Sequence, residues 1–223
     1  MTPEDFPRRS PVYRRLVDAG ATFVERYGAA AASTFPGDRS PPPPVGLADL
    51  SPLRRLGFKG RGAFAWLNAQ GLAVPEANNR TARTGGILVL RLGDNEALVL
   101  DAVDTPDPRI ESVMAAAAPA KVYPVPRADT HAWFLVTGPA APELFATLCG
   151  VDLRPHRFDD GAIAQTSIAR LPSVVAHDDR GGKPAYHVLA DWASAHYLWD
   201  CLTEAMATFD GRLLGLADLA VAK

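Results

Sequence analysis

The chain has 223 residues, of which 48% are apolar and 22% charged, and its formal net charge is −2. These proportions suit an ordinary globular protein, either one sizeable domain or two small packed halves. The near-neutral charge leaves no basic footprint for nucleic acid, and no run approaches the roughly 20 apolar residues of a membrane span.

The N-terminus, Met1-Thr2-Pro3-Glu4-Asp5, lacks the positive start and apolar run of a signal peptide. Arg8, Arg9, Arg14 and Arg15 have the flavour of a transit peptide, but Glu4 and Asp5 fit one badly, so a cytoplasmic location is expected. Residues 1–44 read as an attached arm. It holds the apolar run Ala21-Thr22-Phe23-Val24, then Gly28 and an alanine cluster, and closes on Ser40-Pro41-Pro42-Pro43-Pro44. Consecutive prolines fix φ and lack N–H donors, so this end reads as a stiff extended spacer.

The body beginning near Val45 contains a repeat. Phe58-Lys59-Gly60 leads into Ala63, Trp66-Leu67 and Gly71, and Val136-Thr137-Gly138 leads into Ala141, Leu144-Phe145 and Gly150. Each first glycine suits a strand-to-helix turn and each second glycine a helix C-cap. After the first helix, Gly86–Leu92 and Ala97–Leu100 read as a hairpin turning at Gly93-Asp94-Asn95. A helix with Ile110, Val113, Met114 and Ala117 on one face follows. Val122-Tyr123-Pro124-Val125-Pro126 can only be an edge strand, because its prolines donate nothing to a ladder.

The second half offers Ala164–Arg170, continuing through Val174-Val175-Ala176 to a turn at residues 178–182 and a return strand Tyr186–Leu189. The clearest helix carries Ala195, Leu198, Trp199, Leu202, Ala205, Met206 and Phe209 at helical spacing. Gly211 is its expected C-cap, and Leu213–Leu219 the closing strand. Each half therefore reads strand, helix, hairpin, helix, strand. That is an α+β fold of two pseudo-symmetric halves of antiparallel sheet with helices, residues 45–127 and 128–223, forming one integrated domain. A ligand is expected in the cleft between them.

Chemistry is sparse. There is no Walker loop, His-Glu-x-x-His or Cys-x-x-Cys. Gly57-Phe58-Lys59-Gly60-Arg61-Gly62 is glycine-rich and basic, but the repeat already explains Gly60 as a turn. His177 and His187 lie on two arms of a hairpin and would face each other; without a third partner they make no zinc site, and no metal is expected. Thr137 and Ser167 have no histidine or acid beside them in sequence. Asp159-Asp160 and Asp178-Asp179 read as solvated turn residues, and Trp66, Trp133, Trp192, Trp199 and Phe209 as packing. Cys149 and Cys201 read as small buried hydrophobes on helices, not as a disulfide.

Gly46-Leu47-Ala48-Asp49-Leu50-Ser51, followed by Gly60 and a helix, resembles the opening of the folate-binding fold of the glycine-cleavage T-proteins. Val136-Thr137-Gly138-Pro139-Ala140-Ala141 resembles their Gly-Pro-x-Ala element. Within that superfamily the chain resembles the gamma subunit of heterotetrameric sarcosine oxidase. The stretches that carry this are Arg9-Ser10-Pro11, Asn79-Arg80, Arg91-Leu92-Gly93 with Glu96, Gln165-Thr166 with Ala169-Arg170, and Ala195-His196-Tyr197-Leu198-Trp199. The resemblance implies a non-catalytic partner of alpha- and beta-type subunits that hold FAD, FMN and NAD and oxidise the N-methyl group of sarcosine. Two departures from the T-proteins agree with it. Gly85-Gly86 is followed by Ile87-Leu88-Val89-Leu90 with no acid, and Val174-Val175-Ala176-His177-Asp178 stands in place of a Tyr-Thr-Gly-Glu element. The alternative is a stand-alone binder, a homo-oligomer if not a monomer, that takes tetrahydrofolate or another small heterocycle. It would use Asn79, Arg80 and Arg170, since arginine suits a carboxylate tail. A methyltransferase is the third reading, and no catalytic residue is expected.

Overall fold

The computed structural model describes residues 2–37 and 41–220; Ser40, the start of the expected spacer, lies outside them. In chain order the elements are α1 (Tyr13–Asp18), β1 (Thr22–Arg26), β2 (Ala29–Thr34) and β3 (Gly46–Asp49). The first repeat follows as β4 (Arg55–Lys59), α2 (Ala63–Ala69), β5 (Arg80–Thr84), β6 (Ile87–Gly93), β7 (Glu96–Leu100), α3 (Pro108–Ala115) and β8 (Tyr123–Pro126). The second is β9 (His131–Thr137), α4 (Ala141–Leu148), β10 (Ile163–Ile168), β11 (Leu171–His177), β12 (Ala185–Asp191), α5 (Ala195–Ala207) and β13 (Arg212–Leu213), with α6 (Leu216–Leu219) last.

The duplication is visible in the strand order. The first sheet runs β5-β6-β7-β4-β8 and the second β10-β11-β12-β9-β3-β13. One strand breaks the correspondence: β3 precedes the first repeat in sequence but lies in the second sheet, antiparallel to β9 and parallel to β13. The expected boundary at residue 45 is corrected accordingly, since the body's first strand belongs to the far half.

Strand alternation then builds four layers. In the first sheet Ile87, Val89, Ala97 and Val99 pack with Ala63 and Leu67 of α2 and with Ile110 and Val113 of α3. The intervening Leu88, Leu90, Leu98 and Leu100 face the other way and pack with Trp133, Leu135 and Leu189 of the second sheet. In the second sheet Phe134, Val136, Val175 and Val188 face α1, α4 and α5. The order is helix, sheet, sheet, helix, with the middle interface an apolar core. Each leucine sealed in it contributes about 2 kcal/mol.

The two strand-to-helix glycines are required by close approach. Gly60 has φ +114 and a Cβ there would lie 2.1 Å from the Lys121 carbonyl oxygen; Gly138 has φ +120 and would meet that of Pro44 at 2.4 Å. The C-caps are less regular. Gly71 is left-handed as expected, but the bends after α4 and α5 fall one residue earlier: Cys149 is extended and bridges to Ile168, and Asp210, not Gly211, has positive φ. β8 is an edge strand, and its ladder to β4 can draw N–H groups only from Tyr123 and Val125. Pro124 and Pro126 thus leave an outer edge without donors.

Three expectations are corrected. The described residues of 1–44 are not an arm: Val12 and Leu16 are buried in the second helical layer, and the alanine cluster is β2, with Ala29 through Ala32 buried. The segment Ala164–Ala176 is not one strand, because Ala169 and Arg170, both at positive φ, turn β10 back into β11. Leu213–Leu219 pairs only at Arg212–Leu213. Gly215 then presses against the backbone of Ser33, and its N–H donates to Asp218, which starts α6 instead.

Candidate functional site

The expected cleft between the halves is filled by the leucine interface. Its three candidate residues are engaged elsewhere. Asn79, at φ +56, accepts from the Gln165 amide at 2.8 Å, and its carbonyl accepts from Ile163 N–H at 2.9 Å. Arg80 pairs with Asp159 at 2.8 Å and bridges to Ala162. Together they stitch β5 to the start of β10, edge to edge. Arg170 sits exposed on the tip at the other end of β10, roughly 20 Å away by strand rise. The structure therefore joins Asn79 and Arg80 but not Arg170. The glycine-rich loop is likewise internal: Gly60 N–H donates to the Asn95 carbonyl and Gly62 N–H to that of Lys121.

A polar thread crosses the apolar interface where none was expected. Trp133 Nε1–H donates to Nδ1 of His187 at 3.0 Å, and Nε2 of His187 lies 3.0 Å from Oδ2 of Asp178. The other oxygen of Asp178 accepts from Arg83 on β5. The thread runs from the interior to the surface, because His187 and Asp178 are buried and Arg83 is partly exposed. Burial holds His187 below its ordinary pKa, so the ring is neutral. Burial pushes Asp178 upward, but the bonds from His187 and Arg83 outweigh it and hold the carboxyl well below the usual range. Asp178 is thus no solvated turn residue. Nor do the histidines face each other. His177 pairs across from Tyr186 and stacks on it at 4.6 Å, with its ring nitrogens on the Phe158 carbonyl and Asp179. A lone Asp-Asp pair in a glycine-rich turn gave no signal that distinguished the buried member from the exposed one.

This thread cannot perform general-base chemistry. His187 spends its only lone pair on the indole N–H and its only N–H on a carboxylate. Thr137 donates its hydroxyl to the Pro184 carbonyl.

The Asp-Leu-Ser element is a latch. Asp49 accepts from Ser51 N–H, and Ser51 Oγ accepts from Trp133 N–H at 3.0 Å. Arg55, 1% exposed, donates to the carbonyls of Ser51, Leu53, Ala128 and His131. Burial raises the Asp49 carboxyl, against the opposing pull of the Ser10 and Ser51 hydroxyls.

Among the described residues a cavity of about 530 Å³ is bordered by Pro42, Pro43, Gly138, Arg180, Lys183 and Leu214, among others. A further one, about 320 Å³, lies over β4 and β8. Among the described residues no group of three or more His, Cys, Asp or Glu is placed to hold a metal ion, and no helix is long and apolar enough to cross a membrane.

No protein-family model matches the chain. It is 29% identical over 221 residues to an aminomethyltransferase of Frankia alni, covering 89% of this chain and 58% of that protein. It is 28% identical over 226 residues to an aminomethyltransferase of Mycobacterium avium, covering 92% and 59%. The chain thus spans under two thirds of these curated relatives. Among solved structures it superposes on a chain of the heterotetrameric sarcosine oxidase of Corynebacterium sp. U-96 with TM-score 0.68 at 22% identity, covering 91% of this chain and 96% of that one. On the glycine cleavage aminomethyltransferase T of Bartonella henselae it superposes with TM-score 0.70 at 15% identity, covering 95% and 60%.

Proposed function

Because the chain has the folate-binding fold of the T-protein superfamily, we propose that it serves as a gamma-type subunit of a sarcosine oxidase or related amine-oxidising complex. In this reading it is non-catalytic, and FAD, FMN and NAD reside in the large alpha- and beta-type subunits. The observation that carries it is the superposition on a chain of a heterotetrameric sarcosine oxidase, with TM-score 0.68 over 91% of this chain. The leucine-filled interface and the blocked His187 support the same reading, since the first fills the space between the sheets and the second spends an interior polar group on structure. The test is affinity purification of the tagged chain from its host at native levels, followed by mass spectrometry. Flavin-bearing large subunits in fixed ratio are the expected result. Sarcosine turnover by the isolated chain would overturn it.

A second reading, a stand-alone binder of tetrahydrofolate or another heterocycle, draws on the 530 Å³ cavity and the cations Arg180 and Lys183 at its wall. Titration calorimetry with tetrahydrofolate tests it, and absence of heat at millimolar ligand would remove it.

A further inference from the structure

The chain passes from β8 to β9, and so from one half to the other, through residues 127–130, and a ring of hydrogen bonds closes that turn. His131 N–H donates to the Arg127 carbonyl at 3.3 Å, and Arg55 Nε donates to the His131 carbonyl at 3.1 Å. The side chains complete the ring. Arg127 Nη1 lies 3.1 Å from Nε2 of the partly buried His131, and Nδ1 of His131 lies 2.8 Å from Thr130 Oγ. Thr130 Oγ in turn donates to the carbonyl of Pro126, the last residue of β8, at 2.9 Å. β8 has few other ties: its ladder to β4 draws N–H groups only from Tyr123 and Val125, and it is the last strand of its sheet.

The partners fix where each proton sits. A guanidinium only donates, so Nε2 of His131 must offer its lone pair to Arg127. The neutral imidazole then carries its proton on Nδ1 and donates it to Thr130 Oγ, which leaves the threonine O–H for Pro126. A second proton has one place to go, Nε2, where it would set N–H against N–H and cation against cation. The charges around the ring are Arg127 on its own turn, Arg55 of β4, Asp191 opposite His131 on β12, and Glu96 of β7. Glu96 is already shared by Arg127 at 2.5 Å and Lys59 at 3.2 Å, and Asp129 pairs with Arg8. Burial, with Arg127 and Arg55, outweighs the two acids and holds the imidazole below its ordinary pKa.

We propose that Arg127, His131 and Thr130 form an acid-sensitive clasp, in which the neutral imidazole holds the end of β8 to the body and a proton on Nε2 expels Arg127 and releases β8 with the turn behind it. The folded ring is harder to protonate than the unfolded one. The clasp is therefore whole above the unfolded value near 6.5 and weakens as pH falls below it. Pro124, Val125 and Pro126 border the 320 Å³ cavity, so release opens that cavity to solvent.

The experiment pairs an NMR titration of the histidine rings in the full chain with hydrogen exchange near pH 7.5 and pH 5. In wild type the His131 ring titrates below 6.5, and Arg127→Gln moves its titration upward. Protection factors over residues 123–131 fall about ten-fold on acidification, the measure of one charge-assisted hydrogen bond. His131→Gln offers Arg127 an acceptor that does not titrate, and it keeps its protection at both pH values. His156→Gln, at an exposed histidine, loses protection as wild type does. A wild-type His131 ring that titrates at or above 6.5 overturns the clasp, and so does unchanged protection of residues 123–131. These two readings need no variant. Equal loss of protection in His131→Gln also overturns it, as does exchange of residues 123–131 no faster than that of β12, since the opening would then be global.

Discussion

The indole Nε1–H of Trp133 donates to Nδ1 of His187 at 3.0 Å, and that bond fixes the tautomer of a ring at the centre of the molecule. With Nδ1 committed as acceptor, Nε2 must carry the proton, and it faces the Asp178 carboxylate. His187→Ala leaves an indole donor and a buried carboxylate each short of a partner. A loss of about 2–4 kcal/mol is expected in urea unfolding, with little change in m.

Acid should act through Asp178. Its folded pKa is depressed, so it contributes stability that is fully present above its unfolded value near 3.8 and is lost as pH falls below that. Asp178→Asn lowers stability at pH 7 and flattens its decline below about pH 4. Melting curves at closely spaced pH values check both.

Asp49 has the opposite sign. Burial raises its carboxyl, so the folded state is at no disadvantage below the unfolded value near 3.8 and loses stability as pH rises through the folded pKa. Asp49→Asn keeps an oxygen for Ser51 N–H and removes that slope. The variant gains on wild type as pH rises above 4, in the same melting series. A gap that stays constant with pH would refute the assignment.

The β10–β11 turn is built from residues ill suited to it. Ala169 and Arg170 sit at φ +48 and +68, a type I′ geometry that favours glycine at the second position. Arg170→Gly stabilises by about 0.5–1 kcal/mol, or roughly 2–4 °C in Tm. A lower melting temperature would show instead that the arginine side chain makes a favourable contact near Tyr197.

Two glycines separate conformational strain from collision. Gly71, at φ +79, has room for a Cβ among the described residues, whereas a Cβ at Gly60 would strike the Lys121 carbonyl. Gly71→Ala costs about 1 kcal/mol, and Gly60→Ala more than about 2 kcal/mol. Equal losses would mean that the Lys121 loop yields freely.

The parts of the fold legible in sequence are those written in period and punctuation. The long helix through Trp199 and Leu202 and the apolar pair β6–β7 stood out because one face of each is apolar. β5 did not, since Arg-Thr-Ala-Arg-Thr buries no face fully. The β10–β11 reversal was invisible for a related reason, because its turn residues are Ala and Arg where glycine or asparagine would have marked it. The site was less legible still. Asn79, Arg80 and Arg170 read as contacts for a ligand, but Asn79 and Arg80 find their partners at the edge of the other sheet and Arg170 lies at a turn away from both. Asp178 depends on His187 and on Arg83, 95 residues earlier, for its charge. No local pattern encodes such a pairing.

The placement of β3 has a consequence for how the chain comes together. The strand emerges before any of the first repeat, yet its neighbours β9 and β13 come more than 80 residues later. Loop closure over that span is costly, and pairing with β9 must wait until residues 131–137 exist and pairing with β13 until residue 213. Severing the chain near residue 128 would not release two autonomous units. The N-terminal piece would carry an orphan strand with an open edge, and the C-terminal piece a sheet with a gap between β9 and β13. The two repeats are thereby joined through β3, so that neither sheet is complete without chain from the other side of the cut.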